Sequence, residues 1–288
     1  MSRTCGPSST WRHERVAARR GVDPGYACAR PLPARPLRKL LAIETSTEAC
    51  SIALHVDGVV RERFKVAPRR HTELALPWAQ ALMDEAGIAR AQLDAIAVGR
   101  GPGAFTGVRL GIALAQGIAL ALDRPVVPVS TLAVLAMRAL PSIATTLDQS
   151  RGSVSAGSVI PILATIDARV GEVYAGTFAW RDGALVTLGE EALGHPATLD
   201  IDALDAHVQW HGVGTGLSAV DGALESRLHH RLASVDCAAL PHAADLATLA
   251  VAAFARGQAV APEAIEPAYL RNNVALTIVE QQALRASR

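Results

Sequence analysis

Three apolar runs joined by very short turns constrain this chain more than any other feature. Leu40-Leu41-Ala42-Ile43 reads as a buried strand, and Ser51-Ile52-Ala53-Leu54-His55-Val56 as a second that ends on the Asp57-Gly58 turn signal. Residues 59–66 supply a third. A parallel connection needs a dozen or more residues, so these strands must be antiparallel neighbours.

After them the period switches. Residues 71–87 read as a helix, 94–98 as a strand, 108–122 as a helix, 126–129 as a strand and 131–140 as a further helix. Hairpin-linked strands followed by alternating helices and strands is the order of a ribonuclease-H-like half, the unit doubled in actin-like ATPases. A faint repeat agrees: Leu40-Leu41-Ala42-Ile43-Glu44 has a counterpart in Ile162-Leu163-Ala164-Thr165-Ile166-Asp167. Each run ends in an acid and is followed by a second strand closing on a turn, Asp57-Gly58 in one case and Arg181-Asp182-Gly183 in the other. The expected fold is therefore α/β, an actin-like (ASKHA) fold of two halves with the second more irregular. Residues 39–141 form the first half, a Ser-, Thr- and Gly-rich linker covers 142–158, and 159–288 hold the second half and a C-terminal segment.

Charge is unevenly spread. Residues 1–38 carry eight Arg against Glu14 and Asp23, so this segment is +6 and the rest of the chain −5. The expected fold lacks the basic balance and the aromatics of a chain that holds RNA by itself, since aromatics are 4% of the sequence. Residues 1–38 read as a disordered or non-native extension, whose Pro31, Pro33 and Pro36 break a transit-type helix. Cys5, Cys28, Cys50 and Cys237 form no C-x-x-C pair, which fits a reducing cytoplasm. The apolar stretch 108–122 is short for a membrane span and contains Arg109 and Gln116, so no membrane association is expected.

The most informative motif is Gly99-Arg100-Gly101-Pro102-Gly103-Ala104-Phe105-Thr106-Gly107-Val108-Arg109, set between a strand and a helix. Glycines there free backbone amides to meet an anion. No Lys-Ser or Lys-Thr follows, and the third glycine comes one residue late for G-x-G-x-x-G, so a structural turn and a phosphate cradle stay equally open. As a string, extended through Leu110-Gly111, it resembles the signature of the TsaB family. The resemblance continues in Ile43-Glu44-Thr45-Ser46-Thr47, His71-Thr72-Glu73, Ile166-Asp167-Ala168-Arg169-Val170-Gly171-Glu172-Val173-Tyr174 and Glu266-Pro267-Ala268-Tyr269-Leu270-Arg271-Asn272-Asn273.

That resemblance implies an accessory, non-catalytic subunit for tRNA threonylcarbamoyladenosine formation, partnering a TsaD-type transferase and a TsaE-type ATPase. Transfer RNA would be met only through the complex. It further implies pairing through the two helices after the first hairpins. The candidate interface is His71, Leu74, Trp78 and Leu82 on one helix with Gly107, Gly111, Ala115 and Ala119, a row of small residues, on the other. The signature-loop residues are Gly101, Pro102, Gly103, Phe105, Thr106, Gly107 and Arg109.

The residues argue against retained chemistry. Actin-like ATPases carry Asp-x-Gly after the first strand of each half, the acid for hydrated metal and the glycine for close phosphate approach. Glu44 is followed by Thr45-Ser46 and Asp167 by Ala168-Arg169, so both are degenerate nucleotide-site positions. His207 and His211 share a strand face roughly 13 Å apart, too far for one ion, and no metal or other cofactor is expected. Ser46 and Ser51 are expected to lack the nearby His and acid that a nucleophile needs. The rival readings are an actin-like small-molecule kinase and a self-associating structural dimer.

Overall fold

The computed structural model describes residues 37–141, 159–201 and 208–271. The expected linker, His207, Asn272, Asn273 and all of the expected extension except Leu37 and Arg38 lie outside the described residues.

β1 (Lys39–Glu44), β2 (Ala49–Val56) and β3 (Val59–Val66) are antiparallel neighbours, as the short turns require. Asp57 and Gly58 turn the second hairpin with φ of 49° and 90°, the left-handed pair that matches strand twist. Next come α1 (His71–Ala86), β4 (Ala95–Gly99), α2 (Phe105–Leu122), β5 (Val126–Val129) and α3 (Thr131–Ala136). The strand order is β3-β2-β1-β4-β5, with β4 and β5 parallel to the β1 side. β1 and β4 are buried on both faces and read as continuous apolar runs for that reason.

The second sheet repeats this plan. β6 (Ile160–Arg169), β7 (Glu172–Arg181) and β8 (Ala184–Thr187) are antiparallel, and β10 (Trp210–Val213) and β11 (Leu232–Asp236) add in parallel on the far side of β6. The order β11-β10-β6-β7-β8 is the first sheet's order read in reverse. The expected irregularity is thus confined to details. β9 (Ala192–Gly194) pairs with β7, the β10–β11 register slips between Trp210 and His211, and α4 (Ala219–Leu228) begins with Val220, Asp221 and Gly222 in left-handed backbone.

Two helices pack across the expected boundary between the halves. α5 (Ala243–Ala255) comes late in the chain yet packs on the first sheet, where Leu246, Ala247 and Ala250 meet Leu40, Ala42 and Val127. Conversely, α3 closes the first half but seals the second sheet, with Leu132 and Leu135 against Ile162, Ala164 and Phe178. Each sheet has two apolar faces, and one half's own helices do not cover both.

Candidate functional site

α1 and α2 lie side by side in one apolar cluster on the first sheet. α2 has 18 residues, about 27 Å at 1.5 Å each, and is apolar enough by length and composition to cross a membrane. Here it is a core helix: Val108, Ile112, Ala115 and Ala119 pack against Ile43, Ile96 and Val98.

The expected interface row proves to be the seam of this packing. Gly107, Gly111, Ala115 and Ala119 are all buried, the last two at 0% exposure. A Cβ on Gly107 would lie 2.0 Å from the carbonyl oxygen of Thr45, whose Oγ1 donates to the Gly107 carbonyl at 2.8 Å. Gly107 and Gly111 are small where the helix touches Thr45 in the β1–β2 turn. On α1 the expected interface residues divide between core and flank. His71 is buried, its Nε2 set 3.0 and 3.1 Å from the carbonyls of Thr47 and Ala49, and Leu82 is in the core. Leu74 and Trp78 are half-buried at the flank.

A second small-residue row went unread in the sequence. Ala113, Gly117 and Ala121 are exposed, with Leu120 at 61% exposure beside them and Leu110 and Leu114 half-buried. Nothing lies within 4 Å of a Cβ on Gly117. Their i, i+4 spacing was the available signal; both rows satisfy it, because α2 is apolar nearly all round.

The signature loop wraps the end of β1. Gly101 and Pro102 are buried, joined by a cis peptide, and the Ala104 amide donates to the Ser46 carbonyl at 2.7 Å. Phe105 and Thr106 are exposed at the start of α2. The Arg109 guanidinium stacks 3.5 Å from the Phe105 ring centroid, and its Nε donates to Tyr269 Oη at 2.7 Å.

At the heart of this wrap is Glu44, 1% exposed. Its Oε1 accepts from the Ser46 amide at 2.7 Å, while Oε2 is buried without a hydrogen-bond partner among the described residues. Burial raises the pKa of the carboxyl, against the lowering pull of hydrogen bonds to Ser46, Thr131 and Thr45. Thr131 Oγ1 donates to Ser46 Oγ at 3.0 Å and accepts from the Gly101 amide at 3.1 Å. The acid is therefore enclosed by hydroxyls and backbone of its own chain.

Asp167, its counterpart on β6, is partly exposed. Its Oδ1 accepts from the Arg169 amide at 2.8 Å, and its own amide donates to Thr215 Oγ1 at 3.1 Å. Among the described residues no group of three or more His, Cys, Asp or Glu is placed to hold a metal ion. His211 pairs through Nδ1 with Ser234 Oγ at 2.8 Å, and burial lowers its pKa. Cys50 is buried, which pushes its thiol up to about 11.

Ser51 differs from expectation. An acid and a histidine do lie near it in space: Ser51 Oγ donates to Glu62 Oε1 at 2.6 Å, and His242 Nδ1 is 2.9 Å from Glu62 Oε2. The carboxylate stands between hydroxyl and imidazole, so the imidazole cannot take the hydroxyl proton. Ser51 Oγ and Glu62 Oε1 instead cap α5, accepting from the amides of Ala243 at 2.8 Å and Ala244 at 3.1 Å.

The family model for TsaD, tRNA N6-adenosine threonylcarbamoyltransferase, matches residues 44–278. The chain is similar to the tRNA threonylcarbamoyladenosine biosynthesis protein TsaB of Escherichia coli (strain K12), 41% identical over 240 residues, 82% of this chain and 96% of that protein. The Haemophilus influenzae protein of the same description is 34% identical over 248 residues, 82% of this chain and 94% of its own. Among solved structures, YeaZ from Pseudomonas aeruginosa has 41% sequence identity and a TM-score of 0.69, covering 81% of this chain and all of that one. Two sheets of one strand order, together with these likenesses, make the fold actin-like.

Proposed function

We infer that this chain, which belongs to the TsaB family of tRNA threonylcarbamoyladenosine biosynthesis proteins, works there as a non-catalytic subunit. It acts by association with a TsaD-type transferase and a TsaE-type ATPase in the cytoplasm, and meets tRNA through that complex. The observation that carries this reading is the state of Glu44. An acid that is to hold hydrated metal beside a phosphate must be ionised and open, whereas Glu44 is enclosed and its proton is favoured by burial. The rival kinase reading needs the opposite.

Docking belongs on the outward face of α2. Ala113, Gly117, Ala121 and Leu120 form an exposed apolar strip on a helix whose other side is already spent on the core. Small residues there let a second helix approach closely.

Two experiments test the reading. Purified protein is assayed for ATP hydrolysis; turnover that disappears in Glu44→Ala or Asp167→Ala defeats the non-catalytic role. Co-purification from the native cell, with the complex mass measured, reports the partner. Recovery of nothing but a second copy of this chain favours the structural-dimer reading instead. Deletion of the expected extension is tested alongside, with the cut placed before Leu37, because the amides of Arg38 and Lys39 both donate to Asp94 Oδ2, at 2.9 and 2.8 Å; unchanged stability is expected.

A further inference from the structure

The chain from Val260 to Arg271 is pinned to the first half along its length and ends on the second. Val260 and Val126 exchange two backbone hydrogen bonds of 2.9 and 2.8 Å at the edge of β5. Gln116 Nε2, on α2, donates to the Pro262 carbonyl at 2.9 Å, and Ile265 is buried in the α1–α2 cluster. The Ala268 amide donates to the Arg100 carbonyl at 2.8 Å, and Tyr269 lies against Arg109. Arg271 then leaves the first half: its Nη2 donates to the Ala168 carbonyl at 3.2 Å and to Glu172 Oε2 at 2.6 Å.

Those two acceptors flank the turn between β6 and β7. Within it Arg169 has φ of 66° and Val170 φ of 55°, although neither is glycine and Val170 is β-branched and 88% exposed. Backbone of this kind persists only where its surroundings hold it. Arg271 grips it from both sides while its own segment is fastened to the signature loop.

We propose that residues 265–271 are a strap that fixes the angle between the two halves, with Arg271 as its buckle on the second. Elsewhere the halves meet through α3 and the turn after it, whose Ala139 and Leu140 pack on the second sheet, and through Ser130 Oγ, which donates to Glu191 Oε1. A packed helix alone permits rocking about itself; a second tie at a separate place removes that freedom. The strap consists of intramolecular contacts and stands whether or not α2 docks a partner.

Amide hydrogen exchange on the full chain tests it, with Arg271→Ala as the variant. Two windows report: 167–172, the turn that Arg271 grips, and 133–136 on α3, where Leu135 and Ala136 pack on the second sheet. Release of the strap is expected to speed exchange at least tenfold in both windows, while the melting temperature stays within a few degrees. Faster exchange in 167–172 alone means that Arg271 only steadies a turn, and the strap is overturned. Unchanged exchange in both overturns it also. Should Arg271→Ala fail to fold, Glu172→Gln, which keeps the side-chain shape and weakens the same grip, takes its place under the same criteria. Misfolding of both variants would make the contact part of the core and end the proposal.

Discussion

A Cβ on Gly99 would lie 1.9 Å from Oε2 of Glu44, so the Glu44 carboxyl fills the space that a side chain at the end of β4 would need. Gly99→Ala is expected to destabilise the protein by about 2–4 kcal/mol, because overpacking here meets a buried carboxyl with no room to turn. Chemical denaturation of Gly99→Ala, Glu44→Ala and the double variant should show strong non-additivity, the second change relieving part of the first.

Glu44 and Glu62 should give stability opposite dependences on pH. The folded pKa of Glu44 is raised by burial, so its contribution is fully present below its ordinary value of 4.5 and is lost as pH rises through the folded value. Glu44→Gln should therefore match the parent near pH 4 and equal or exceed it at pH 8. Burial opposes ionisation of Glu62, but hydrogen bonds from His242, Ser51 and the Ala244 amide outweigh it and hold its pKa low. Its contribution is present above 4.5 and lost as pH falls through the folded value. Glu62→Gln should cost about 1–3 kcal/mol at neutral pH, a gap that closes on acidification. Urea midpoints from about pH 2 to pH 8 measure both.

Charge placed on the two small-residue rows of α2 should separate folding from association. Ala115 is fully buried, so Ala115→Arg should unfold or aggregate the isolated protein. Gly117 has open space around its Cα, and Gly117→Arg should leave the melt near normal while titration against the TsaD-type subunit loses at least a hundredfold in affinity. Normal binding by a folded Gly117→Arg protein would move the docking face off α2.

Val170 should be improvable. A β-branched residue at φ of 55° costs more than glycine or asparagine there, so Val170→Gly or Val170→Asn is expected to raise stability by about 1 kcal/mol, read as a melting-temperature increase.

Much of this protein is determined by sequence-local physics. Runs such as Leu40 to Ile43 and turns such as Asp57-Gly58 dictate three antiparallel strands, and their echo in Ile162 to Asp167 marks the duplication, because strand period and turn stereochemistry act over a few residues. The lost glycines after Glu44 and Asp167 are legible in the same way. What the tertiary structure decided is which of two equivalent faces is inside. α2 carries Gly107-Gly111-Ala115-Ala119 and Ala113-Gly117-Ala121 at the same spacing, and the approach of Thr45, 62 residues from Gly107, together with packing on Ile43, Ile96 and Val98, assigns the first row to the core. Likewise Ser51 finds Glu62 across a hairpin but the amide of Ala243 from 192 residues away, and Arg271 finds Glu172 across 99. Such contacts form between groups whose pattern along the chain carries no trace of the partner, because a hydroxyl or guanidinium satisfies its hydrogen bonds with whatever the packed sheets bring beside it.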